Sequence, residues 1–178
     1  MYGSAGKRGK VEARNALDGS HIWSQDTDYI LPPHHWTPSC SPTLTPTNRL
    51  YVPGAGGTVY SRDNADSSDS ATGRLAFFGL SAYLADPTGF NSTVFIDIPI
   101  TADSAGNIYF GFRTNGSAPL GLQSGVARID ASGNGIWISA ADVLGGATNI
   151  TRVPHQAAPA LSNDEQTLLR GRGKPEHR

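Results

Sequence analysis

Between Pro99 and Ser139 short apolar runs alternate with corners built of Gly, Asn, Asp and Ser, the pattern of a four-stranded antiparallel sheet written in strand order. Ile98, Ile100 and Ala102 alternate with Pro99, Thr101 and Asp103, the period of a strand with one buried face. Asp103 to Asn107 has the side chains and the glycine that a tight reversal needs. The run Asn107 to Phe112 is β-branched and aromatic enough to be buried on both faces. A loop from Arg113 to Leu122 leads to a strand over Gly125 to Asp130. A hairpin at Ala131 to Gly135 then delivers Ile136-Trp137-Ile138, whose indole is expected to cover the join to a neighbouring sheet.

The same pattern recurs. Pro42 to Val52 aligns with Pro99 to Phe110 with one residue fewer in the turn, and Pro159 to Leu169 aligns again, at spacings of 57 and 60 residues. These spacings are somewhat longer than the roughly 40 to 50 residues of common propeller repeats, which places the surplus in loops. A second marker recurs out of phase: Ala16-Leu17-Asp18 with Trp23 matches Ala127 to Asp130 with Trp137. Between them, Gly57 to Asp63 fills the first slot and Leu75-Ala76-Phe77-Phe78 the slot of the Trp strand, joined by a Ser- and Asp-rich segment, Asn64 to Gly73, expected to be mobile. The chain therefore reads as all-β, a β-propeller-like array of four-stranded antiparallel blades. Two are whole (42–98 and 99–158) and two partial (15–41 and 159–169), between an unstructured segment 1–14 and a basic tail 170–178. A β-sandwich is the rival architecture, since short strands and turns serve both, and in-phase recurrence favours radial repeats.

Ala16-Leu17-Asp18 with Trp23, and Asp130 to Gly135 with Trp137, resemble the blade endings of pyrroloquinoline-quinone-type propeller repeats, an Ala-x-Asp, a glycine turn and a Trp docked between blades. The resemblance covers most of residues 16 to 169 as architecture and reaches no cofactor site. It implies a parent protein that is exported, periplasmic or extracellular. It also sets up the enzymatic rival, a piece of a quinoprotein dehydrogenase, whose family adds a calcium site, a catalytic Asp and often a vicinal Cys pair that this chain lacks.

Composition narrows the function classes. Apolar residues at 38% with 21 Gly and 12 Pro suit a turn-rich β protein. With 16% charged residues and a net charge of -1, the chain has no basic stripe for nucleic acid or an anionic membrane. No run reaches the roughly 20 apolar residues of a spanning helix. Lys7, Arg8 and Lys10 have no apolar core behind them, so no signal peptide is read. A lone Cys40 can form neither an internal disulfide nor a thiolate zinc site by itself.

Three histidines precede innermost strands. In a propeller the chain enters each blade near the central channel, so His34, His35 and Trp36, with His155 and with Asp97 from the middle blade, form the candidate ligand-binding cluster, for a metal or an anion. The plainer reading is loop histidines bonded to backbone. Asp130 to Gly135 lacks the Glu of a calcium loop, since Ala141 stands at the twelfth position, and reads as a hairpin turn. Asp63, Asp66 and Asp69 read as a solvated acidic loop. Asn91, Asn115 and Asn149 satisfy the glycosylation pattern at the frequency that chance gives in so Ser- and Thr-rich a chain.

No Gly-x-Ser-x-Gly elbow, phosphate loop, His-Glu-x-x-His or paired Cys is present, and Gly54 to Gly57 leads into a strand rather than a helix. Asp97, Asp103 and Asp130 have no spacing that marks a glycosidase pair. The expectation is thus a non-catalytic scaffold or binding module, a fragment of a larger exported protein, with no cofactor and an unidentified ligand or protein partner. Its open edges would pair with another strand or another copy.

Overall fold

The computed structural model describes residues 9–30, 41–143, 145–146 and 158–169. The chain is mostly β, in several antiparallel sheets of which none closes on itself among the described residues. The first sheet is the hairpin β1 (Lys10–Arg14) and β2 (His21–Asp26). The second runs in strand order through β3 (Thr43–Leu44), β4 (Leu50–Pro53), β5 (Thr58–Arg62) and β6 (Thr72–Ala76). Helices α1 (Leu80–Ala85) and α2 (Pro87–Thr93) follow. The third sheet holds β7 (Val94–Ile96), β8 (Thr101–Ala102), β9 (Ile108–Thr114), β10 (Gly125–Ile129) and β11 (Gly135–Ser139). A short helix α3 (Ala140–Val143) precedes the fourth sheet, β12 (Ala160–Leu161) with β13 (Leu168–Leu169).

The recurrence holds in the register with one correction: Thr43 corresponds to Thr101 rather than to Ile100, and the two turns are of equal length, so Pro42 does not stand at the place of Pro99. Thr43 pairs with Tyr51, Thr101 with Tyr109 and Ala160 with Leu169, so Tyr51 and Tyr109 occupy the same place in their sheets. The turns close in the same way, that of Ser162 being one residue longer than the others. A side-chain oxygen of the first turn residue accepts the backbone N–H that closes the reversal: Thr45 from Arg49 (3.2 Å), Asp103 from Asn107 (2.8 Å), Asp130 from Asn134 (2.9 Å), Ser162 from Thr167 (3.0 Å). This is the local bonding that makes Ser, Thr and Asp turn-formers. Successive first strands are tied laterally, Thr43 Oγ1 donating to the Ile100 carbonyl and Thr101 Oγ1 to the Pro159 carbonyl, each at 2.5 Å.

The main core lies between the second and third sheets. Tyr51 and Val59 from one side meet Ile108, Phe110, Phe112 and Ile129 from the other, all buried, with Phe77, Tyr83 and Phe90 from the segment between the sheets. Phe77 contacts Phe112 at 4.4 Å and Phe110 at 5.9 Å, and Phe78 stacks on Phe90 at 4.3 Å. A smaller cluster of Ile98, Val126 and Ala140, with Leu168 against it, joins the third sheet to the fourth.

Several expectations are corrected. Strand β1 begins at Lys10, inside the segment expected to lack structure. Its Val11 and Ala13 alternate with exposed Lys10, Glu12 and Arg14, an amphipathic strand written in charged residues. The outer strand of the second sheet is Thr72–Ala76, and Phe77-Phe78 lie beyond it in a turn. The Asn64 to Gly73 segment is bonded rather than loose: Arg62 donates to the Ser67 and Ser68 carbonyls, Ser70 Oγ lies 3.0 Å from the Asn64 carbonyl, and Asn48 binds Asp66 at 2.6 Å. Helix α2 is nucleated by Asp86, whose Oδ1 caps the Gly89 N–H at 2.9 Å ahead of Pro87 at the first helical position. The first strand of the third sheet is split, β7 and β8 both pairing with β9 around an irregular Asp97 to Ile100, where Pro99 has no N–H to give.

The two tryptophans are not equivalent. The Asn15 N–H bonds the Ser20 carbonyl as the Asp130 N–H bonds that of Asn134, so the first turn is one residue longer. A bulge between Ala13 and Arg14 then pairs Ala13 with Trp23. In the ladder Trp23, opposite Ala13, stands at the step of Ile136 opposite Arg128 rather than of Trp137, because the bulge leaves Ile22 without a cross-strand partner, and one step reverses the face. Trp23 turns to the sheet that follows, stacking on Arg62 at 4.2 Å and donating to the Ala65 carbonyl at 2.7 Å. Trp137 lies edge-on to Phe112 of its own sheet at 5.9 Å, on the groove whose other wall is Leu75 to Leu80, and stays 37% exposed instead of sealing the join.

Candidate functional site

The densest polar cluster gathers around Arg74, opposite Tyr60 in the β5–β6 ladder. Its Nε donates to Thr58 Oγ1 (2.9 Å), Nη1 to Tyr60 Oη (3.3 Å), and Nη2 to Tyr83 Oη (2.9 Å) and the Ala55 carbonyl (3.3 Å). The Asp28 carboxylate spans both ends, Oδ2 2.9 Å from Nη1 and Oδ1 3.2 Å from Nη2. The guanidinium also lies 5.0 Å from the Tyr60 ring and 4.4 Å from that of Tyr83. Tyr83, on α1, donates onward to Asn91 Oδ1 on α2 at 3.2 Å. Asp28, just past β2, also accepts the Ala55 N–H at 2.9 Å. One arginine therefore ties together the first sheet's exit, the second sheet and both helices.

The turn between β4 and β5 makes this approach feasible. Gly56 holds φ +65, and a Cβ there would stand 2.7 Å from both Asn91 Oδ1 and Tyr83 Cε2. A left-handed backbone packed this closely suits only glycine.

Electrostatically the cluster is closed. Every nitrogen of the Arg74 guanidinium has a partner, and its charge is matched by Asp28. Burial, and next the charge of Asp28, push the Tyr60 phenol above its ordinary value, so it stays protonated at neutral pH.

Arg74 also lines an open groove of about 520 Å³ between the second and third sheets. Its walls are Leu75 to Leu80 on one side and Leu120, Leu122, Gly133 to Gly135 and Trp137 on the other. Gly135 sets how closely the walls approach, since a Cβ there would lie 2.1 Å from the Phe77 carbonyl oxygen. Leu120, at φ +58, projects at the rim 64% exposed. A trough lined by aromatic and aliphatic side chains together with polar groups such as Asn134, its cation already paired, suits an uncharged group of mixed polarity.

Of the residues expected to converge, Asp97 is buried at 2% exposure in the break between β7 and β8. His34, His35, Trp36 and His155 lie outside the described residues. Asp130 is consumed by its own turn, accepting from the Ser132 and Asn134 backbones and the Asn134 side chain, which is the hairpin expected of it. Asp63 pairs with Arg49 at 2.5 Å and Asp66 with Asn48. No three His, Cys, Asp or Glu gather at metal-holding distance among the described residues. Asn91 is engaged by Tyr83, Asn115 is exposed, and Asn149 lies outside the described residues.

Arg74, Asp28, Tyr60 and Tyr83 escaped sequence reasoning. The available signal was the lone charge in Gly73-Arg74-Leu75-Ala76-Phe77-Phe78, which needs a partner wherever that run is buried. Among the described residues no helix is long and apolar enough to cross a membrane. Comparison with protein-family models finds no match, and comparison with the curated proteins finds none either.

Proposed function

We propose that the chain is a section of a β-propeller-type array serving as a non-catalytic scaffold or binding module within a larger exported protein. The observation that carries the array is the pair of lateral ties, Thr43 to Ile100 and Thr101 to Pro159. They repeat one contact at sequence separations of 57 and 58 while the paired tyrosines keep their register. Radial repetition produces this regularity, because each small sheet meets the next in the same way. A binding role is supported by the groove beside Trp137, which offers aromatic surface with no uncompensated charge.

The test is a thermal-shift and equilibrium-dialysis screen of the full chain against glycans, peptides and divalent cations, with Trp137→Ala as the groove control. A saturable ligand that quenches indole fluorescence and is lost in the variant is the expected result. No ligand in any of the three classes overturns the binding role. Oxidation of alcohols or sugars by the chain supplied with quinone and calcium overturns the non-catalytic one and favours the quinoprotein rival.

A further inference from the structure

We propose that Asn115 is a site of spontaneous modification, its side-chain amide deamidating through a cyclic imide while the identical dipeptide at Asn134 is protected. The sequence holds two Asn-Gly steps, Asn115-Gly116 and Asn134-Gly135. In such a step the backbone nitrogen after the asparagine attacks the side-chain carbonyl carbon. The new C–N bond closes an imide ring, and the side-chain NH2 leaves with the attacking nitrogen's proton as ammonia. Water then opens the ring at either carbonyl, giving aspartate or an isoaspartyl residue whose main chain runs through the former side chain. A glycine in the second position removes the Cβ that would hinder the attack and leaves the backbone free to turn toward it. This chemistry makes asparagine one of the thermolabile residues. What separates the two sites is the fold.

Asn115 stands just past the end of β9, and Asn115, Gly116 and Ser117 are all exposed. Among the described residues nothing bonds its side-chain amide, so the carbonyl carbon and the leaving nitrogen are both open to solvent. Its backbone N–H is held by the Thr93 carbonyl at 2.8 Å, which leaves the bonds beyond it free to rotate. Gly116 takes φ +74 with nothing within 4 Å of the place of a Cβ, so the attacking nitrogen has room to turn. Asn134 is locked at each of these points. Its side-chain nitrogen donates to Asp130 Oδ2 at 3.2 Å and its backbone N–H to Asp130 Oδ1 at 2.9 Å. Its carbonyl accepts the Asp130 N–H at 2.9 Å. Gly135 is paired with Ile129 in the β10–β11 ladder, and a Cβ on it would lie 2.1 Å from the Phe77 carbonyl oxygen, so its backbone has no space to rotate. Ring closure at Asn134 must first open the hairpin, and the free energy of that opening slows the reaction.

The consequence falls on the groove. The Thr114 N–H is held by Ser124 Oγ at 2.9 Å, and the loop between these two residues carries Leu120 and Leu122 to the groove wall. Either product puts a carboxylate into a stretch, Thr114 to Ser124, that holds no acidic residue. The isoaspartyl product also adds a carbon to the main chain just after the tie to Thr93, on the side that leads to Leu120.

The full chain is incubated in buffer and in denaturant, sampled over days and digested with trypsin, which cuts after Arg113, Arg128 and Arg152 and so puts the two dipeptides in separate peptides. Fragment masses locate each exchange of NH2 for OH, and an isoaspartate-specific methyltransferase marks the isoaspartyl product. In buffer Asn115 is expected to be lost several-fold faster than Asn134, and in denaturant the two rates converge. Gly116→Ala should slow the loss several-fold, and Asn115→Gln should remove the methyl label from the peptide 114–128. Equal rates at the two sites in buffer, or loss at Asn115 that Gly116→Ala leaves unchanged, overturns the proposal. Asn134 is the control for folding: a variant that has unfolded makes it labile, and the wild-type comparison of the two sites then decides.

Discussion

The second and third sheets put opposite chemistry into one slot. In the second, the cross-strand pair of the outer ladder is Tyr60 with Arg74; in the third, the corresponding pair is Ala127 with Trp137. The backbone neighbours match, Val52 standing beside Tyr60 as Phe110 stands beside Ala127. What differs is the cover. Helices α1 and α2 and the segment after β2 close over the first pair, and they bring Asp28, Tyr83 and Ala55 to satisfy a guanidinium. Nothing among the described residues closes over Trp137 to the same degree, and the indole, which carries no charge to be matched, is left 37% exposed. A repeated backbone fixes where a side chain stands, and the covering element fixes what it can be.

Substitutions separate the two halves of this comparison. Phe112→Ala removes the ring between Phe77 and Trp137 and is expected to cost about 3–5 kcal/mol, measured by denaturant unfolding; a loss under about 1 kcal/mol means the two sheets do not share a core. Arg74→Ala strands Asp28 and two phenols, with an expected cost of about 2–3 kcal/mol, moderated because the pair is part-exposed, and Arg74→Lys recovers only a part because the fork geometry is lost. If Arg74→Ala leaves the melting temperature unchanged, the polar slot contributes nothing to the fold. Gly135→Ala drives a methyl into the Phe77 carbonyl and should lower stability by about 2 kcal/mol while widening the groove. Trp137→Ala should cost only about 1 kcal/mol, since the ring is already part-solvated; a larger loss means the indole is covered in solution.

The smallest effect concerns acid. Burial of Asp103 works against its charge, but bonds from the Asn107 side chain and backbone and from Tyr109 outweigh it and hold the carboxyl below its ordinary value. A depressed folded pKa gives stability that is present above the unfolded value of about 3.9 and is lost as pH falls through the folded value. Unfolding midpoints should therefore be flat above about pH 5 and decline below about pH 4, and Asp103→Asn should flatten that decline.

Much of the architecture could be read from the residues. Alternation around Ile100 and Ile108, and turn-formers at Asp103 and Asp130, are local codes, so the hairpins of the third sheet followed from them, while the register of the first strands was read one residue early. Helices α1 and α2 were missed, although Asp86-Pro87 is a helix start. The face of Trp23 was missed because one bulge, invisible to spacing, shifts it by a step. Of the site, only Asp97 among the expected residues lies in the described structure, and the Arg74 cluster was not anticipated because its members are scattered from Asp28 to Asn91.

The sequence by itself determined the small antiparallel sheets, since hydrogen bonds and turn geometry within a few residues suffice to set them. Only tertiary packing decided which face each sheet shows its neighbour, and that Arg74 is enclosed while Trp137 is left open. Those outcomes depend on contacts between residues far apart in the chain, and no local pattern encodes them.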